Sequence, residues 1–186
     1  MKIAISGAAN TGKTTFANHF ATYNKFPVIE ERFLEIVRLR SAGASLEAIK
    51  DKFKEIDKHK AKRERALGKK FVSDRCVVDL MVFWMSIGAL GSSPDSVELY
   101  RKWKKHSKKY DYIVFLPWGN VAYNDLEREY TNQHKHVMNP FVNLTRHTSM
   151  IGLANLWVGP EKTILLPEEI IDLDEQTEWL NKRLGF

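Results

Sequence analysis

The stretch Lys2-Ile3-Ala4-Ile5-Ser6-Gly7-Ala8-Ala9-Asn10-Thr11-Gly12-Lys13-Thr14-Thr15 decides the fold of this 186-residue chain. Its first five residues are a short apolar run ending at a glycine, which reads as a buried strand. Gly7 to Thr14 then fit G-x-x-x-x-G-K-[ST] at every fixed position. Gly7 and Gly12 let the backbone turn tightly and present its N–H groups as a cradle for phosphate oxygens. A helix predicted from about Lys13 to Tyr23 adds its positive N-terminal end to the same anion. Lys13 is placed to reach the β- and γ-phosphates of ATP or a similar triphosphate, and the Thr14 hydroxyl to take one position on Mg²⁺. Asn10, Thr11 and Thr15 complete the phosphate-facing set. The motif sits between a strand and a helix, the context that separates a working phosphate loop from a chance match.

Outward from this loop, short apolar runs at Phe26–Ile29, Phe71–Ser73, Tyr112–Leu116 and Thr163–Leu166 read as four more strands. Helical patterns fall between them at about 30–40, 45–67, 77–87, 95–108, 140–157 and 177–184. Four of the five strands are apolar without in/out alternation, the pattern of a parallel sheet covered on both faces. The expected architecture is an α/β three-layer sandwich, with residues 1–186 forming one domain. Residues 120–139 are polar and lack a clear period.

Composition sets the outer limits. A length of 186 residues with 44% hydrophobic content suits one sizeable core. The N-terminus reads straight into structure rather than into a signal peptide, and no run approaches the length of a membrane span. A cytoplasmic protein with no membrane partner is the expectation, with self-association left open. Cys76 is the only cysteine, so neither an internal disulfide nor a Cys-rich zinc site can form. The net charge is +6, but residues 50–70 and 101–109 each contribute +6, leaving the remainder at −6. Such windows are either solvated Lys-rich helices or a face that attracts nucleotides or nucleic acid.

Asp74-Arg75 follows the predicted strand at 71–73 and supplies what a phosphate loop needs from a neighbouring strand. Asp74 can hold the metal or accept a proton from an attacking hydroxyl, and Arg75 can offset developing charge. His134, His136 and His147 suggest a metal site only weakly, having no carboxylate partner at helical spacing. Trp84, Trp103, Trp118 and Trp157 read mainly as core. Phe33 and Phe53 read as core or as platforms for a base. Cys76 has no supporting triad.

A phosphate loop near the N-terminus, then strand-Asp74-Arg75, then an apolar helix opening Val77-Val78-Asp79-Leu80 and carrying Phe83-Trp84, resembles the small nucleoside and nucleotide kinases. The likeness is greatest to the NadR-like (nicotinamide riboside kinase-like) group of P-loop ATPases and kinases, which includes many bacteriophage proteins. That resemblance implies a five-stranded parallel sheet, an acceptor-binding helical segment at about 30–68 and an Arg-bearing lid at about 120–139. Glu30 and Glu31 stand where related kinases place an acid facing the acceptor hydroxyl. Arg128 is the first choice for the lid cation, with Lys135 and Arg146 as alternatives. Many members carry an Asp-Gly-x-Arg stretch after strand four, whereas this chain reads Asn124-Asp125-Leu126-Glu127-Arg128, without the glycine.

The implied activity is transfer of the γ-phosphoryl group of ATP, with Mg²⁺, to a hydroxyl or phosphate of a nucleoside or nucleotide. Lys13, Asp74, Arg75, Arg128 and Glu30 would carry the chemistry, with Thr14 and Asp74 at the metal. Some phage-type relatives instead phosphorylate 5-hydroxymethyluracil within DNA, for which segments 50–70 and 101–109 would supply the contacts. In that case the location would be the host cytoplasm. A third reading is a nucleotide-dependent regulatory ATPase, although the Asn/Thr-Lys-x-Asp motif that reads guanine is absent.

Overall fold

The computed structural model describes residues 1–119 and 139–186. Five strands, β1 (Lys2–Ser6), β2 (Val28–Ile29), β3 (Phe71–Asp74), β4 (Tyr112–Phe115) and β5 (Thr163–Leu165), form one sheet. Its order is β2-β3-β1-β4-β5, and every pairing is parallel. The helices are α1 (Lys13–Asn24), α2 (Phe33–Ser41), α3 (Leu46–Leu67), α4 (Val77–Ser86), α5 (Gly88–Gly91), α6 (Asp95–Ser107), α7 (Pro140–Val158) and α8 (Leu173–Leu184).

Two apolar clusters explain why the strands lack alternation. Ile3 and Ile5 of β1 join Phe16 and Phe20 of α1 and Leu180 of α8 on one face. Ala4, between them in sequence, joins Phe71, Phe115, Val77 and Trp84 on the other. Successive strand residues point to opposite faces, and here both faces are covered, so the strand interiors are apolar on both sides. The expected five-stranded parallel sheet between helical layers is the one observed.

The differences in detail have local causes. β2 shrinks to Val28–Ile29, and α2 begins at Phe33 instead of near residue 30. The Glu31 carboxylate accepts the Phe33 backbone N–H at 2.7 Å, so the helix starts after Glu31. Residues 30–32 are thereby left outside the helix, beside a cleft. At the other end of the chain, α8 starts at Leu173 because Asp172 caps it, accepting from the N–H groups of Asp174 and Glu175. The apolar run after Val77 breaks into α4 and the short turn α5.

The aromatics read as core are mostly core. Phe53, Trp84 and Trp103 are each 0% exposed. Phe53 meets Trp84 edge-on at 5.3 Å, and Trp84 meets Trp103 at 6.2 Å. Phe53 therefore holds α3 against α4 and is not a platform for a base. Truncating it to alanine should lower unfolding stability by about 3–5 kcal/mol, measured by urea denaturation. Among the described residues, no helix is long and apolar enough to cross a membrane.

Candidate functional site

The register of β1 against β3 pairs Ile5 with Asp74. This sets the last residue of β3 beside the start of the loop that leaves β1. That edge is the carboxyl end of the sheet, where open parallel folds place their ligands.

The loop has the backbone its glycines allow. Gly7 lies at φ +133°, and a Cβ there would come within 3.2 Å of the His147 ring. Asn10 is left-handed at φ +58°, as is Gly12 at φ +76°. Gly12 caps α1 without a side-chain hydrogen bond, and the first turn of α1 carries no acid. Neither a cap side chain nor an acid of the first turn meets the opening N–H groups of the helix.

Lys13 is buried and folds back over the loop. Its Nζ donates to the carbonyl of Ala8 and to Thr11 Oγ1. Burial, and then the Arg75 charge, drive its pKa from 10.5 down to about 7. Below that pH the folded and unfolded chains both carry the proton, and the folded chain bears the whole burial penalty. Between about 7 and 10.5 the folded chain has released a proton that the unfolded chain keeps, so stability rises with pH. The urea midpoint of the unliganded protein should therefore climb from pH 7 to pH 9. In Lys13→Met that climb should disappear.

Across from the loop, Thr14 Oγ1 donates to Asp74 Oδ2 at 2.6 Å. The other carboxylate oxygen, Asp74 Oδ1, is buried with no hydrogen-bond partner among the described residues. A hydroxyl and an orphaned carboxylate oxygen side by side are a hard-oxygen donor set, and they fit Mg²⁺.

Arg75 is held by more than its strand. Its backbone is left-handed at φ +65°. Its N–H donates to the carbonyl of Ile5 at 2.8 Å. Lys60 of α3 donates to the Arg75 carbonyl at 2.7 Å and also to Ser73 Oγ. The guanidinium Nη1 then reaches the Gly7 carbonyl and Asp79 Oδ1, both at 3.0 Å. Asp79 Oδ2 accepts from Ser6 Oγ at 2.7 Å and from the Cys76 N–H at 2.9 Å. One buried carboxylate thus ties β1, the start of α4 and Arg75 together. Glu31 stands 3.7 Å from Arg75 Nε.

A cleft opens on the α2–α3 side of Asp74, lined by Glu30, Glu31, Arg32, Phe33, Ile56, His59, Lys60 and Asp74. Phe33 borders it and packs on Phe83 at 5.2 Å. The Arg75 guanidinium lies 5.1 Å over the Phe33 ring and 5.4 Å over the Phe83 ring. Glu30 is exposed, while Glu31 is partly buried.

On the opposite side, α7 presents His147, whose Nδ1 faces the Ala8 N–H at 3.4 Å. Burial, reinforced by Lys13, pulls the His147 pKa down to about 4, so the ring stays neutral and able to accept. Cys76 is wholly enclosed, and burial, followed by the Asp79 charge, pushes its thiol far above the usual range. It has no nucleophilic character.

Lys13, Thr14, Asp74, Arg75 and Glu30 converge on this edge of the sheet. Arg128, Lys135, His134, His136 and the lid read at 120–139 (all but Asn139, the cap of α7) lie outside the described residues. Among the described residues, no group of three or more His, Cys, Asp or Glu is placed to hold a metal. The basic windows are paired in part. Lys50 and Lys54 meet Asp95, Lys52 meets Glu35 and Glu55, and Lys102 meets the buried Asp57.

Lys60, Asp79 and His147 have parts in the site that the sequence did not bring out. Asp79 alone left a readable signal, as a lone acid in an apolar helix three residues after the cap position Cys76.

Residues 2–142 match the family model described as an AAA domain. No curated protein matches the chain. Among solved structures, the deoxyadenosine kinase from M. mycoides with bound dATP is 14% identical, with a TM-score of 0.71, and covers 100% of each chain. The YorR protein from Bacillus subtilis, in complex with phosphorylated GDP, is 14% identical, with a TM-score of 0.61 over 100% of this chain and 96% of its own. The NadR protein in complex with NR is 14% identical, with a TM-score of 0.69, and this chain spans 52% of it. At such identities the likeness shows a shared fold.

Proposed function

This chain belongs to the AAA domain family, and from that premise we propose that it is an ATP-dependent kinase acting on a nucleoside or nucleotide. The observation that carries the proposal is the 2.6 Å bond joining Thr14 of the phosphate loop to Asp74, at the edge of a cleft lined by Glu30 and Glu31. A triphosphate site and a carboxylate-lined acceptor cleft share one wall. The structural neighbours support the reading, since one is a deoxyadenosine kinase with dATP bound.

In this reading the loop amides and the first turn of α1 hold the triphosphate of ATP. Lys13 leaves its internal contacts for the β- and γ-phosphate oxygens, which restore its charge. Thr14 and Asp74 would hold Mg²⁺, whose chemistry is to neutralise phosphate oxygens and orient them. Arg75, fixed by Lys60 and Asp79, faces the transferring group and offsets its charge.

Three carboxylates stand near the acceptor, and two of them are engaged. Asp74 bonds Thr14, and Glu31 accepts the Phe33 N–H and stands beside Arg75. Glu30 is exposed on the cleft and is assigned the acceptor proton. The acceptor oxygen bonds to the γ-phosphorus, the bond from that phosphorus to the ADP oxygen breaks, and the acceptor proton passes to Glu30. Arg128 remains the proposed lid cation.

An acceptor base within DNA has less to support it. Lys50, Lys52, Lys54 and Lys102 are turned to carboxylates, and the YorR and NadR structures are described with a guanine nucleotide and NR. The test is ADP release from ATP on adding a panel of nucleosides, nucleotides and hydroxymethylated DNA. Release stimulated by a nucleoside or nucleotide is expected. Release that no acceptor stimulates would count against a kinase and favour the regulatory ATPase reading.

A further inference from the structure

Arg146 is a feature of this region that the proposed chemistry does not use. It lies in α7, is only 6% exposed, and stacks its guanidinium 5.1 Å over the Phe83 ring. Phe83 is also the ring beneath Arg75. Among the described residues, Arg146 Nε and Nη1 are buried without a hydrogen-bond partner. A guanidinium carries five donors and keeps its charge, so burying it without an acceptor is expensive unless a ligand supplies one.

Its electrical surroundings make the need sharper. Among the described residues, burial first, and then the positive charges of Arg40 and Arg75, hold the Arg146 pKa below the usual value. Arg75 is compensated by Asp79 and Glu31. Arg146 has no such carboxylate among the described residues. An arginine in this state is matched by a doubly charged, multi-oxygen anion that accepts two parallel N–H bonds.

The direction Arg146 faces separates two sources for that anion. His147, the next residue, faces the phosphate loop and feels Lys13. Consecutive residues on a helix point about 100° apart. Arg146 accordingly stacks on Phe83, whose ring packs on Phe33 at the wall of the acceptor cleft. The donor phosphates already have the loop, Lys13 and the start of α1.

We infer that Arg146 receives a phosphate carried by the acceptor, so that the cleft takes a nucleotide rather than an uncharged nucleoside. This rests on the kinase reading above and narrows its acceptor class. The phosphate belongs to a free nucleoside monophosphate or to a nucleotide within a strand, and the same chemistry serves both.

The test measures acceptor binding to the full chain saturated with AMP-PNP and Mg²⁺. The probes are the four common deoxynucleosides, their 5′-monophosphates and a short single-stranded oligodeoxynucleotide. At least one monophosphate, or the oligonucleotide, should bind about tenfold or more tightly than the matching nucleosides. Arg146→Gln should erase that preference while leaving AMP-PNP affinity unchanged. Which of the two phosphate-bearing probes gains more identifies the source.

Equal binding of nucleosides and nucleotides, or a preference that survives in Arg146→Gln, would overturn the inference and leave the kinase reading intact. Loss of AMP-PNP affinity in Arg146→Gln would overturn it as well, by assigning the arginine to the donor. Failure of the unaltered protein to bind AMP-PNP would instead sink the kinase reading itself. If Arg146→Gln fails to fold, Arg146→Met takes its place. Because Met removes an uncompensated buried charge, it should raise the thermal midpoint of the unliganded protein, and a lowered midpoint would contradict the account.

Discussion

Replacing Lys13 by alanine is expected to reduce acceptor-dependent ATP turnover by about 10²–10³-fold, among the largest effects of any single substitution in the site. The reason lies in the double life of this side chain. In the unliganded chain its ammonium is turned inward to the Ala8 carbonyl and Thr11 Oγ1, in surroundings that favour the neutral form. A bound triphosphate reverses that preference. Its oxygens are better partners for a cation than a carbonyl and a hydroxyl, and their charge outweighs Arg75. The loss should therefore appear in both kcat and kcat/KM, because the same lysine serves binding and the transferring group. A loss confined to KM would mean that Lys13 only anchors the donor. Binding of AMP-PNP by the unaltered protein near pH 8 should also take up a proton, seen by calorimetry in buffers of different ionisation enthalpy.

The second large effect is expected at Asp74. Asp74→Asn keeps the shape of the side chain and an oxygen able to accept from Thr14, but removes the charge from the orphaned Oδ1 position. Turnover should fall by about 10²–10³-fold. The strengthening of AMP-PNP binding by Mg²⁺ should be lost, while metal-free binding changes little. The unliganded protein should be about as stable, since the substitution exchanges a buried charge for a neutral amide of the same shape. If Mg²⁺ still strengthens AMP-PNP binding to Asp74→Asn, Asp74 is not at the metal.

The two residues differ in how openly the sequence displayed them. Lys13 was legible because a phosphate loop is a local object. The strand, the glycines and the helix that give it meaning are all within fifteen residues. Asp74 was legible because a carboxylate at the end of a central strand has few other duties. The sheet was legible too, because burying a strand on both faces leaves an unbroken apolar run.

What escaped was the support behind Arg75. Its aim depends on Lys60 from α3 and Asp79 from α4, packed against each other through the fold. In the sequence Lys60 is one cation among ten in residues 50–70. Nothing local marks it as the one that is 5% exposed and bonded to a strand carbonyl. The same blindness affected charge. Counting along the chain leaves open solvated Lys-rich helices or a broad positive face, and it does not show that Lys50, Lys54 and Lys102 find carboxylates on other helices. Linear charge density is a statement about the unfolded chain. Folding pairs charges that the sequence keeps 41 residues apart, as with Lys54 and Asp95.

Phe33 and Phe53 show the same limit at smaller scale. Both read as core or platform, and only the packing separates them. Phe53 is enclosed against Trp84, whereas Phe33 sits at the cleft wall beneath Arg75.

The central claim is that the phosphate loop and Asp74-Arg75 form the donor half of a site whose acceptor enters from the Glu30 side. Its most direct test is the fate of the γ-phosphoryl group. The protein is incubated with ATP labelled at that position, Mg²⁺ and a panel of nucleosides and nucleotides, and every labelled product is identified by mass. The account predicts one phosphorylated acceptor formed in equal amount with ADP, and its disappearance in Lys13→Ala. Label recovered only as inorganic phosphate, at a rate no acceptor changes, would contradict it.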